Sequence, residues 1–311
     1  MVGKTTFCAI TMEVLTIAWL IMIVGILMAA VVKIFKDELP YFIQDLVVYG
    51  KTRRQDESSR MLQLWLLVPK RWFVHFYIIG LMSSSSLMVV LIQVITKETT
   101  FFVVQQLHKY IRTGSMSNAD CFSVVLTCFL INVQTSRRLY ECLWVSSMSG
   151  KMHVGHYILG ICFYALVNLT IFAEIPLQNM EGYCGSHVQV LGQLSMTQTT
   201  GVLLFLWASY HQYKCHNILA SLTSWTSKNK KIYKIPYGDW FNYVSSPHYL
   251  AEILIYIALL MTMNGHCTLW SLTLTFVVGN LTISAHTTHE WYKQKFEDYP
   301  SKRYIVYPYI F

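Results

Sequence analysis

Apolar residues in this chain are bunched into runs, most of them roughly 18–25 residues long, the length a helix needs to cross about 30 Å of hydrocarbon. The runs lie near Val14–Val32, Phe73–Ile95, Cys121–Leu143, Tyr157–Ile175, Thr199–Tyr213, Tyr249–Met263 and Leu269–Ala285, the fifth and sixth being the shortest. Charge is too scarce to solvate so much apolar surface: 13% of the 311 residues are charged, against roughly 25% in a soluble domain. The sequence therefore predicts an all-α, polytopic membrane protein of about seven transmembrane helices, and it argues against a soluble core.

Lys and Arg set the orientation, because loops retained in the cytosol are enriched in them. Lys33, Lys36, Lys51, Arg53, Arg54, Arg60, Lys70 and Arg71 fall between the first two spans. Arg137, Arg138 and Lys151 follow the third span, Lys214, Lys228, Lys230, Lys231 and Lys234 the fifth, and Lys293, Lys295, Lys302 and Arg303 the seventh. These are 20 of the 24 basic residues; only Lys4, Lys97, Lys109 and Arg112 fall to the other side. A seven-span chain then has its N-terminus lumenal and its C-terminus cytosolic, and an even count would break the alternation. The net charge of +8 is thus a topology signal, and no nucleic-acid partner is implied. The first run is too long for a cleaved signal peptide and lacks a small-residue cleavage site, so it reads as an uncleaved span. The eight cysteines show no C-x-x-C pair, which gives little support to zinc or a disulfide framework; Cys184 and Cys267 both fall in lumenal loops and are the pair to consider. The sequons at Asn168 and Asn280 fall inside apolar spans and read as unglycosylated. No internal repeat or low-complexity linker divides the chain, so residues 1–311 read as one membrane domain.

Ionisable groups in or at the ends of spans are costly and point to function. Four sets stand out, all toward the basic side. In "SRRLYECLW", Arg137, Arg138 and Glu141 form either an interfacial salt bridge or an anion clamp, since guanidinium forks suit phosphate. In "YHQYKCHNIL", Gln212 and His216 are four apart and share a helix face; the set reads as a plain helix end or a cofactor-contacting surface, and no partner sits at convincing metal spacing. In "PYGDWFNYVSSPHYLAEILIY", residues 236–256, the turn residues Pro236, Gly238 and Asp239 predict a loop re-entering the membrane edge. His248 and Glu252 follow, four apart on one helix face, with Tyr237, Trp240, Phe241, Tyr243 and Tyr249 around them. Those groups cap and pair in the bland reading; in the functional one they offer flat surfaces and hydrogen bonds to a nucleotide. The fourth set is the tail, where His286, His289 and Tyr292 end the last span. From residues alone, the layout is a polar, aromatic, positively charged site open to the cytosol, where an anionic soluble ligand meets a lipid-soluble partner.

Several of these stretches resemble the steroid 5α-reductase family. "IPYGDWFNYVSSPHYLAE" looks like that family's "IPxGxxFxYVSxxNYxxE" block, and the tail "HEWYKQKFEDYP" with Tyr307-Pro308 looks like its C-terminus. "QDLVVYGKTR", "VPKRWFVHFYIIG", "RRLYECLWVS" and "HQYKCHNIL" are similar to blocks of the polyprenal reductase subgroup, in the same order from about residue 43 onward. The resemblance implies an enzyme of the endoplasmic reticulum membrane that takes NADPH from the cytosol, mainly on residues 130–311. It implies hydride delivery to the β-carbon of long-chain polyprenal, giving dolichal in the dolichol route that serves protein N-glycosylation. Membrane lipids are the surroundings, and no obligate protein partner is implied. By position, Glu252 and His248 match residues at the nicotinamide end of the cofactor, Gln212 and His216 match the cofactor-contacting segment, and Tyr292 matches a tail tyrosine near the cofactor. Arg137 matches a cofactor-region arginine, with Arg138 the subgroup's addition, and Tyr237, Asp239 and Tyr243 fall in the same block as His248. His289 is the tail histidine expected near the substrate carbonyl. "DELP", residues 37–40, resembles the family's "QELP", which assigns Glu38 to polarise that carbonyl. The chain departs from the pattern twice, with His248 in place of Asn and Asp37 in place of Gln. Rival readings are a 5α-reductase acting on steroids, a membrane methyltransferase using S-adenosylmethionine, and a seven-helix receptor or transporter.

Overall fold

The computed structural model describes residues 2–35, 67–96, 102–111, 120–146, 148–175, 194–222, 224–225, 231–265 and 267–311. Glu38 and the rest of "DELP", the "QDLVVYGKTR" stretch and Cys184 lie outside the described residues. A helix stands at each apolar run: α1 (Val2–Ile34), α2 (Phe73–Ile95), α4 (Cys121–Tyr140), α5 (Val154–Ala173), α6 (Met196–Ser221), α7 (Pro247–Thr262) and α8 (Thr268–Lys295). A short amphipathic α3 (Phe102–Ile111) lies between α2 and α4. Among the described residues, four segments, Val14–Ile34, Lys70–Ile95, Val154–Ala173 and Thr268–Lys295, are long and apolar enough to cross a membrane. The strands are minor: β1 (Leu67–Pro69) pairs antiparallel with β2 (Lys151–His153), and β3 (Ser224–Trp225) with β4 (Lys231–Ile232).

α6 and α8 outrun their apolar stretches for local reasons. α6 starts with a capping box, in which Ser195 Oγ accepts from the Gln198 backbone N–H (3.1 Å) and Gln198 Oε1 accepts from that of Ser195 (3.0 Å). Such a reciprocal pair satisfies donors that a helix start leaves open. α8 continues through "HTTHEWYKQK", where Lys293 and Lys295 in the last turn complement the negative end of the helix dipole.

The bundle is apolar outside as well as inside. Val14, Ile17, Ile21, Val24 and Met28 on α1 are exposed, as are Leu203, Leu206 and Trp207 on α6. An apolar surface of that extent suits lipid rather than water. Inside, Trp19 is wholly buried against Phe163 and Phe276, with its indole N–H donating to Thr170 Oγ1 at 3.0 Å. Helices in lipid gain by close van der Waals approach, so small residues collect where they meet. At Gly201 an added Cβ would come within 2.9 Å of the Ala258 carbonyl oxygen, and at Gly279 within 2.8 Å of Ile26 Cδ1. These contacts lock α6 to α7 and α8 to α1.

Two polar clusters mark opposite ends of the bundle. One joins the start of α4, the start of α6 and the residues after α7: Asp120 accepts from the backbone N–H and hydroxyl of Ser123 and from Asn264 Nδ2, and Gln198 Nε2 donates to Ser123 Oγ at 2.8 Å. Cys121 beside it is disulfide-bonded. Cys267 is a free thiol that donates to Glu174 Oε1 at 2.9 Å, which rules out the pairing with Cys184 considered from the sequence: its sulfur is held by a carboxylate instead. The second cluster gathers the other ends of α4, α6 and α7.

Candidate active site

α4 ends in a π turn over Glu141–Val145, a helix irregularity often found at functional sites. Just before it, Arg137 and Arg138 both bond Glu141, which is wholly buried. Arg137 Nη2 also donates to Gln134 Oε1 (2.7 Å) and to Gln212 Oε1 on α6. Gln212 Nε2 in turn donates to Glu252 Oε2 on α7 and to the His248 carbonyl oxygen (3.3 Å), and Gln134 Nε2 donates to Glu252 Oε2 at 3.2 Å. Arg138 Nη2 donates to the Tyr77 hydroxyl of α2 at 3.0 Å. His216 Nδ1 lies 2.7 Å from Glu141 Oε2 and 2.8 Å from Arg138 Nη1. A protonated Nδ1 donates to the carboxylate and a bare one accepts from the guanidinium, so the tautomer decides which bond forms. Two guanidinium groups thus face two carboxylates, which balances charge that would be prohibitively expensive unpaired away from water.

This network floors a cavity of about 780 Å³, within the size range of small-ligand pockets. Tyr77, Arg138, Gln212, His216, His248 and Glu252 line its polar side, and Phe76, Phe163, Tyr164, Tyr256, Phe276 and Leu281 its apolar side. Lys33, Lys70, Lys151 and Lys234 also line it, the second and third brought together where β1 pairs with β2. Lys33 Nζ donates to Thr287 Oγ1 on α8 at 2.9 Å.

α7 reaches the cavity through a strained turn. Gly238 and Asp239 have φ of +95° and +46°, the left-handed region that Gly, and less readily Asp, adopts. Pro247 occupies the first turn of α7, where a missing N–H costs nothing. The tail holds this stretch in place: the backbone N–H of Ser245 donates to the Tyr304 carbonyl (2.8 Å), and that of Tyr304 to the Tyr243 carbonyl (2.9 Å). Arg303 sits between the rings of Tyr237 and Tyr299, 5.0 and 5.2 Å from their centroids, and donates to the Pro236 carbonyl.

Of the residues singled out in the sequence, Arg138, Gln212, His216, His248, Glu252 and Tyr292 line the cavity, and Arg137 stands directly behind it. Asp239 is engaged elsewhere: its carboxylate meets His211 Nδ1 at 2.9 Å, and the His211 ring stacks on Trp240 at 4.4 Å. Tyr237 and Tyr243 are exposed beside the tail. His289 Nδ1 lies 2.6 Å from Ser245 Oγ, which also meets the Tyr299 hydroxyl at 2.6 Å; Tyr299 stacks on Tyr292 in parallel planes, centroids 5.3 Å apart. His289 therefore stands one ring behind the cavity wall. Sequence reading missed Gln134, Tyr77, Tyr164 and Tyr256. Gln134 alone carried a signal, lying three and four residues before the two arginines and so on their helix face.

Removing Glu141 leaves two half-buried guanidinium groups without the carboxylate they share. Glu141→Ala is expected to destabilise the protein by roughly 3–5 kcal/mol, the range for breaking a buried ion pair, visible as a lowered melting temperature. An unchanged melting temperature contradicts the charge-balance account.

Comparison with known proteins places this geometry. The sequence profile of the 3-oxo-5-alpha-steroid 4-dehydrogenase family matches residues 158–311. The giant panda (Ailuropoda melanoleuca) and human proteins called polyprenal reductase are each 37% identical over 279 residues, covering 86% of this chain and 86% of theirs. The rat protein of the same name is 32% identical over 317 residues, covering 94% of both. The chain belongs to the steroid 5α-reductase family, alongside these polyprenal reductases.

Proposed function

We propose that the chain is an NADPH-dependent polyprenal reductase, saturating the α-isoprene double bond to give dolichal. The observation that carries the reading is the cavity. It joins a fixed polar wall to an apolar, aromatic one at a single end of a helix bundle, as a soluble cofactor meeting a lipid requires. A steroid 3-oxo-Δ4 compound is the alternative substrate of the same chemistry.

The residues present fit the cofactor. Glu252 Oε2 accepts two side-chain amides, and a carboxylate has about four acceptor positions, leaving capacity for a nicotinamide carboxamide. The four cavity lysines suit phosphate oxygens, and Tyr292 offers a ring face backed by Tyr299. When bound, NADPH supplies a hydride. The protein does the rest: Gln134 and Gln212 hold Glu252, Phe76, Phe163 and Phe276 exclude water along the isoprenoid, and a donor is required where negative charge gathers on the carbonyl oxygen. In this reading Glu38 and His289 are the further residues to examine near that carbonyl. Arg137 and Arg138 brace the cofactor side, whereas Tyr237, Asp239 and Tyr243 shape the loop that carries His248.

The same reading gives seven spans, with the N-terminus lumenal and the C-terminus cytosolic in the endoplasmic reticulum. The C-terminal ends of α4, α6 and α8 meet at the cavity, those of α4 and α8 carrying basic residues, and the disulfide-bonded Cys121 stands at the opposite end of α4, as expected of the oxidising side. In sealed microsomes a C-terminal epitope is expected to be digested by added protease; full protection contradicts this orientation.

Glu252→Gln is expected to weaken NADPH binding by roughly 1.5–3 kcal/mol, the range for hydrogen bonds to a charged group, or roughly 10- to 150-fold in Kd. Unchanged affinity would refute the carboxamide role. Purified protein given NADPH is expected to consume polyprenal faster than a 3-oxo-Δ4 steroid; the reverse order makes it a steroid reductase.

A further inference from the structure

Tyr77 stands in the first turns of α2, buried and on the cavity wall. Among the described residues its hydroxyl makes one hydrogen bond, accepting from Arg138 Nη2 at 3.0 Å. A guanidinium can only donate, so that bond leaves the phenolic hydrogen unspent. Nor can the hydroxyl swing far. The Arg138 guanidinium is anchored by Glu141 and lies 5.1 Å from the centre of the Tyr77 ring. The Tyr164 ring packs edge-on to it, centroids 5.4 Å apart. Gly80, one turn along α2, makes that packing possible: a Cβ there would come within 2.8 Å of Tyr164 Cδ1. Glu252, the residue proposed to hold the nicotinamide, lines the same cavity. The free O–H is therefore presented at the reacting end of the cavity. Tyr164 and Tyr256 also line the cavity, but among the described residues no guanidinium bonds their hydroxyls.

We propose that Tyr77 is a catalytic residue: its O–H donates to the carbonyl oxygen of the unsaturated aldehyde, and Arg138 is the positioning residue behind it. This rests on the reductase reading. As hydride adds to the β-carbon, the C=C pair forms a new bond between the α-carbon and the carbonyl carbon, and the C=O pair moves onto oxygen. Tyr77 stabilises that oxygen without giving up its proton. The pair then returns, a proton from water reaches the α-carbon, and the saturated aldehyde leaves. The Arg138 charge behind the phenol strengthens it as a donor, since a hydroxyl that accepts from a cation donates more strongly in turn.

The test is Tyr77→Phe in the full-length purified protein, with the parent measured alongside. The variant is expected to keep the parent's melting temperature and NADPH Kd while kcat on polyprenal falls about 100- to 1,000-fold, the effect of deleting one donor to an oxyanion. Turnover close to the parent's overturns the proposal, and so does a loss of turnover explained by lost NADPH binding or lost folding. A parent that binds no NADPH or leaves polyprenal unreduced removes the reductase reading itself, and the role of Tyr77 with it. Normal parent activity with an unimpaired variant removes Tyr77 alone.

Discussion

The pairing of Arg137 and Arg138 with Glu141, relayed through Gln212 to Glu252, is the constraint on which the site depends. Ions taken out of water cost several kcal/mol each unless their partners are close and well directed. That cost fixes which helix ends meet. α4 supplies both cations and one anion, α7 the other anion, and α6 the amide that bridges them. A helix rotated or slid by one residue would leave a charge unmatched, so the electrostatics specify the register of the bundle where lipid-facing contacts do not.

From that clamp follows a division of labour within one cavity. Its side chains on the clamp are held by bonds to one another, so they need little reorganisation when charge appears. The opposite wall is aromatic and aliphatic, and it discriminates by fit. A long isoprenoid cannot be enclosed in about 780 Å³, a volume typical of drug-sized ligands. In the proposed reading the cavity takes only its functional end, and the remaining chain is left to lipid.

Much of this was legible in the sequence because membranes write large signals. The positions of the helices follow from apolar run length, without any tertiary information. The i, i+4 pair Gln212 and His216 and the helix mouth carrying His248 and Glu252 were likewise visible, since spacing alone puts each pair on one face. What stayed hidden needed partners distant in the chain. Asp239 has the residue type of a ligand contact, yet His211 takes it; His211 adjoins Gln212 and so points about 100° away from it around the helix. Tyr77 carries no local mark of function; the partner that distinguishes it, Arg138, lies 61 positions on. Cys267, the cysteine considered for pairing, is bound by a carboxylate, and Cys121 is the one that is disulfide-bonded.

In the proposed reaction this cavity directs hydride to the β-carbon of an unsaturated aldehyde rather than to the carbonyl carbon. NADPH carrying deuterium at the transferable position, incubated with the purified protein and polyprenal, tests it in one step. Mass spectrometry and NMR of the product are expected to find a single deuterium on the β-carbon of an aldehyde. Deuterium on the carbonyl carbon of an allylic alcohol, or none in the lipid at all, would contradict the account.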